Sequence, residues 1–134
     1  MVQLLVNIDV DDLEKAIEFY RNALDLTLKR RLFNDTVAEM AGAPSPIYLL
    51  KKPAGSAASA TLTTLRDYSR HWTPVHLDVA VDDLGSAVQQ AQAAGAIVES
   101  DLQTYKWGRI AFMADPFGHG FCLLEFREGG YKAD

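Results

Sequence analysis

The sequence predicts an α+β protein built from two tandem βαβββ modules, with helices packed on one face of mainly antiparallel sheet. Three observations lead there. The tetrapeptide VDDL occurs at Val10 to Leu13 and again at Val81 to Leu84, an offset of 71 residues that also superposes Ala16 on Ala87 and Ala23 on Ala94. Before each copy, apolar residues alternate, as Val2, Leu4, Val6, Ile8 and Val10 and as Val75, Leu77, Val79 and Val81, so each stretch reads as a strand with one face in a core. After each copy, Leu13, Ala16, Ile17, Tyr20 and Leu24, and then Leu84, Ala87, Val88 and Ala91, recur at helical spacing.

The remaining elements follow in order. LTLKRRLF, TVAEMA and SPIYLL supply three strands after the first helix, and AIVES, WGRIAFMA and HGFCLLEF three after the second. The aspartates of VDDL read as helix starts, because a short carboxylate accepts orphan N–H groups and suits the positive end of the helix dipole. Asp11 and Glu14 have capping-box spacing. KKPAGSAASA is small and flexible, which makes it a loop, and ATLTTL is a candidate connecting strand. Module one is expected over about residues 1–52, the linker over 53–70 and module two over 71–128, all in one domain.

Composition narrows the function. With 134 residues, 49% of them hydrophobic, the chain can bury a core. Thirteen basic against eighteen acidic residues, net charge −5, and no basic run beyond Lys29 to Arg31 argue against a nucleic-acid partner and favour neutral or cationic small molecules. No apolar run has membrane-spanning length and the first residues lack a signal-peptide pattern, so a cytoplasmic setting without membrane attachment is expected. The one cysteine, Cys122, fits a reducing compartment.

VNIDVDDLEKAIEFYRNALDL, VHLDVAVDDLGSAVQQAQAAGA and ADPFGHGFCLLEF, in that order around an internal repeat, resemble the vicinal oxygen chelate superfamily, also called the glyoxalase/bleomycin resistance/dioxygenase superfamily. The resemblance implies sheets curled around a cavity with helices outside, and usually a homodimer. Its members include glyoxalase I, extradiol dioxygenases, fosfomycin-inactivating transferases and antibiotic-binding proteins without catalysis, so fold alone leaves the activity open.

The resemblance also implies where a metal would sit. Metal-dependent members take a histidine seven residues before the DL aspartate, which falls on Leu5 and His76, and a glutamate on the last strand of each module, which falls on Tyr48 and Cys122. Leucine can never be a ligand, and a divalent site needs about three or four donors. Asp78 is the best spare, two residues from His76 on one strand face, whereas Glu125 and His119 have the wrong parity relative to Cys122.

No cofactor is therefore expected. A divalent metal at His76, with Asp78 and Cys122 recruited, is the alternative. The cavity set is Leu5, Asn7, Tyr48, His76, Asp78, Trp107, Arg109 and Cys122, with His76 the candidate general base or hydrogen-bonding group. Bland roles stand beside these: Trp107 as packing, Arg109 paired with a carboxylate of the fold, Cys122 as a buried, inert thiol. The expected function is binding of a small organic, antibiotic-like molecule by sequestration. The alternatives are a glyoxalase-like lyase, isomerase or dioxygenase, and a structural or regulatory dimer module.

Overall fold

A computed structural model describes residues 1–133, which divide into two compact units, Met1–Ser69 and Arg70 onward. In the first, β1 (Val6–Val10), α1 (Leu13–Leu24), β2 (Thr27–Leu32), β3 (Val37–Ala41) and β4 (Ile47–Lys51) follow one another as βαβββ. The sheet order is β1-β4-β3-β2, with β1 parallel to β4 and the other pairs antiparallel. Leu13, Ala16, Ile17, Phe19, Tyr20 and Ala23 of α1 are buried. The sheet face toward this helix supplies Ile8, Val10, Ala38, Met40, Ile47 and Leu49. Each large side chain so buried contributes roughly 1.5–3 kcal/mol relative to exposure.

The second unit repeats the plan with β5 (Leu77–Ala80), α2 (Leu84–Ala94), β6 (Ile97–Val98), β7 (Gln103–Thr104), β8 (Gly108–Ala114) and β9 (Gly120–Phe126), and ends in a 3-10 turn at Gly130–Ala133. Its order is β5-β9-β8-β6, with β7 also on β8, and only β5 with β9 is parallel. Leu84, Val88 and Ala91 face the sheet. Neither sheet closes on itself. The βαβββ order of the first unit, the α+β class and the mainly antiparallel pairing are those that the periodicities predict, while the second unit adds the short β7 between its expected strands. No described helix is long and apolar enough to cross a membrane.

Several details differ from the sequence reading. The N-cap is the second aspartate of each VDDL, not Asp11: Asp12 accepts from the Lys15 N–H at 3.1 Å and Asp83 from the Ser86 N–H at 3.2 Å. Both caps have φ −133° and ψ 103°. Glu14 closes no capping box but forms a two-pronged pair with Arg31, at 2.6 and 3.0 Å. That pair borders an open cleft of about 470 Å³ at the start of α1, where Asp11, Asp35 and Lys51 also point to solvent; a solvated helix start explains it.

ATLTTL forms no strand. Only an isolated bridge, Ala57 to Leu65, is present there, and Arg66 organises the loop instead. Its guanidinium donates to Asp9 at 2.8 Å, to Ser56 Oγ at 3.2 Å and to the Ala57 carbonyl. A charged hub meets the loop's polar groups more cheaply than a ladder, because small residues offer little apolar surface to bury. Val2, Leu4 and Val75 lie outside the strands and are exposed, since β1 starts only at Val6 and β5 at Leu77.

Candidate functional site

Strand register places the candidate residues in rows. In the second unit Asp78 pairs with Cys122 across β5 and β9, and Cys122 with Phe112 across β9 and β8, so these three side chains share the sheet face opposite α2. His76 precedes Asp78 by two residues, and its Nε2 lies 3.1 Å from Asp78 Oδ1. The nitrogen, carboxylate oxygen and sulfur of His76, Asp78 and Cys122 all lie within 4.8 Å of one another, the one such three-donor cluster among the described residues.

The electrostatics of this cluster oppose a ready thiolate. Cys122 is buried, and burial pushes its thiol from the ordinary 9.0 up to about 12, with the Asp78 carboxylate adding to the shift by its charge and by accepting from the thiol. The Asp78 carboxylate also touches the neighbouring imidazole, a ring that carries one donor and one acceptor nitrogen when neutral.

An aromatic wall stands beside the imidazole. The Trp72 ring lies 4.7 Å from that of His76 and 5.8 Å from that of Phe112, and Arg70 Cζ sits 5.8 Å from the Trp72 centroid. Arg70 is held by both oxygens of Glu99, whose carboxyl is thereby kept below its usual range. Gly120 makes room for the indole, since an added Cβ would collide with the Trp72 ring and crowd Arg70. Gly120→Ala is therefore expected to swing Trp72 aside while the strand survives, because the far end of a side chain yields more easily than backbone. A changed tryptophan emission spectrum with far-UV circular dichroism preserved checks this; an unchanged emission rejects it.

The first unit presents a different row. Asn7, Tyr48, Glu39 and Arg30 are successive partners across β1, β4, β3 and β2. Glu39 is buried and already engaged by Arg30 at 2.7 Å and Lys29 at 3.5 Å, and the Arg30 hydrogen bond holds its carboxyl below the usual range. Leu5 precedes β1 and is half exposed. Neither Leu5 nor Tyr48 adds a metal donor, and the nearby carboxylate is neutralised.

Two other predicted residues stand apart from His76. Arg109 is the cross-strand partner of Glu125, with the charged groups 3.7 Å apart, and Glu125 accepts the Leu84 N–H at the start of α2 at 2.9 Å. That is the helix side of the sheet, and it is the parity that kept Glu125 away from Cys122. Trp107 stacks on Tyr105 at 5.6 Å and packs against Phe126 and Tyr131.

Sequence reasoning missed Trp72, Phe112 and Arg70. No parity signal existed for Trp72, which lies in irregular chain before β5; on β9, Gly120 shares the face of Cys122.

Comparison with known proteins agrees with the fold. The family model of the glyoxalase-like domain matches residues 5–124. A probable lactoylglutathione lyase of Vibrio cholerae is 28% identical over 122 residues, covering 89% of this chain and 86% of that protein. The fosfomycin resistance protein FosX of Listeria monocytogenes superposes with a TM-score of 0.70 at 16% identity, over 95% of this chain and 94% of its own. A glyoxalase/bleomycin resistance protein/dioxygenase from Nocardioides gives 0.65 at 20% identity, over 97% and 87%. Identities this low make the structural likeness one of fold.

Proposed function

The chain belongs to the glyoxalase-like family of the vicinal oxygen chelate superfamily, and on that premise we propose that it binds a small organic molecule around His76 without an obligatory metal, sequestering it. The observation that supports this most is the fate of the four inherited ligand positions. Leu5 and Tyr48 are unsuited, Cys122 is a buried thiol pushed up to about 12, and His76 alone presents an ordinary donor. The His76 imidazole, the Asp78 carboxylate and the Trp72 and Phe112 rings form the kind of mixed polar and aromatic surface that holds small ligands. The acidic balance of the chain favours a neutral or cationic ligand. A homodimer in the cytoplasm completes the reading.

A second reading has one observation in its favour, the three-donor cluster. His76, Asp78 and Cys122 match the donor types of a three-ligand zinc site with an open position, which would supply Lewis-acid polarisation of a substrate carbonyl and make the protein a lyase or isomerase. Binding would have to expel the proton of a buried thiol.

The test has two arms. Protein purified without chelator is expected to hold substoichiometric metal by elemental analysis; a full equivalent that Cys122→Ser abolishes establishes the second reading. In a thermal-shift screen, a ligand at about 100 times its Kd adds about 2.7 kcal/mol of stability. That shift is expected in the parent and lost in His76→Ala. A hit whose shift survives His76→Ala places binding elsewhere and refutes the proposed site.

A further inference from the structure

The segment leading into β5 is tied to the start of β9 at one residue. The His71 N–H donates to the Gly118 carbonyl at 2.8 Å, and the Gly120 N–H donates to the His71 carbonyl at 3.2 Å, forming a single parallel bridge between His71 and His119. Above that bridge the side chains meet. His119 Nδ1 and His71 Nε2 are 3.0 Å apart, with the rings nearly perpendicular at 85°. The next residue is Trp72, seated over Gly120 and beside His76.

A hydrogen bond between two imidazoles has a definite proton requirement. One proton between the two nitrogens makes it, so the neutral pair keeps it and so does the singly charged pair. A second proton turns both facing nitrogens into donors and sets two positive charges against each other at contact distance, where the repulsion is largest. Arg70 and Asp115 are charged groups beside the pair's backbone. Arg70 brings a further positive charge already matched by Glu99, and its Nη1 reaches the Gly118 carbonyl at 3.3 Å. Asp115 uses Oδ1 to accept the N–H groups of Phe117 and His119, at 2.8 and 2.9 Å. Its single negative charge can balance one imidazolium, not two.

We infer that the His71–His119 pair is a proton-operated clasp that positions Trp72 against His76, and that double protonation opens it. Opening frees Trp72 from Gly120 and removes the aromatic wall, so a ligand held there is released on acidification. The consequence for binding rests on the site proposed above; the clasp itself does not.

The experiment therefore uses the full chain without ligand. The chain has two tryptophans and three histidines. Trp107→Phe with His76→Gln leaves Trp72 as the only reporter and the pair as the only imidazoles. On lowering the pH from about 8 to about 4.5, Trp72 emission is expected to move to the red with far-UV circular dichroism unchanged. His71→Gln and His119→Gln, added to this background singly and together, are expected to remove that transition, because glutamine can keep a hydrogen bond and takes up no proton. Three results would overturn the clasp: no emission change in the background, the same transition in the variant lacking both histidines, or a change that coincides with loss of the far-UV signal. Failure of every ligand screen would instead sink the sequestration reading and leave the titration as it was.

Discussion

Gly108→Ala is expected to lower stability by about 3 kcal/mol, which for a chain of this size moves Tm by roughly 10 °C. Gly108 opens β8 at φ +156° opposite Phe126, so close to β9 that an added Cβ would overlap the Glu125 carbonyl oxygen and lie 3.0 Å from Phe126 Cα. Both obstacles are backbone, held by the β8–β9 ladder and by the Arg127 N–H donating to the Trp107 carbonyl at 2.9 Å. No rotamer change relieves the clash, so the strand pair itself must separate. Differential scanning calorimetry of the variant decides the matter, and an unchanged Tm would show that the strands have slack. Gly120 gives the contrast, since its obstacle is a side chain that can turn away.

Cys122 is expected to be about a thousandfold less reactive toward an alkylating agent in the folded protein than in the unfolded chain at the same pH, because the thiolate is the nucleophile and a rise from 9.0 to about 12 removes it by that factor. Labelling with iodoacetamide at pH 8, with and without denaturant, reads the ratio. Near-equal rates would mean that the thiol is exposed or ionised, and would revive it as a nucleophile or metal ligand. The same shift has a stability side. In the folded state Cys122 and Tyr68 both titrate at about 12, above 9.0 and 10.0, in each case chiefly because burial disfavours the anion. A raised folded value favours folding fully below the unfolded one, and the advantage disappears as pH climbs through the folded value. The urea midpoint is therefore expected to fall between about pH 9 and about pH 12, and Cys122→Ala to flatten part of that fall.

Much of the architecture was legible because it depends on periodicity. Alternation before Val10 and Val81 and helical spacing after them are direct images of which face is buried, and both helices lie where the spacing puts them. Cap identity was not legible at single-residue precision. Two adjacent carboxylates look alike in sequence, and only backbone dihedrals make Asp12 and Asp83 the acceptors. The linker misled for a related reason: ATLTTL has strand-like composition, but Arg66 reaches the loop carbonyls and Asp9 first. At the site, counting from VDDL found His76, and parity found Asp78. Trp72 stayed hidden because it precedes β5 in irregular chain, and its seat exists only because Gly120, 48 residues later, lacks a side chain.

The matched caps of the two helices have a further meaning. Asp12 and Asp83 hold the same backbone angles while the positions around them in register have parted: leucine against histidine, asparagine against aspartate, tyrosine against cysteine. A joint built from one carboxylate and one amide makes no demand on the opposite surface of its sheet. Each copy thus works as a chassis whose far side is free to be refitted, and chemical novelty in one half can arise without renegotiating the foundations of either.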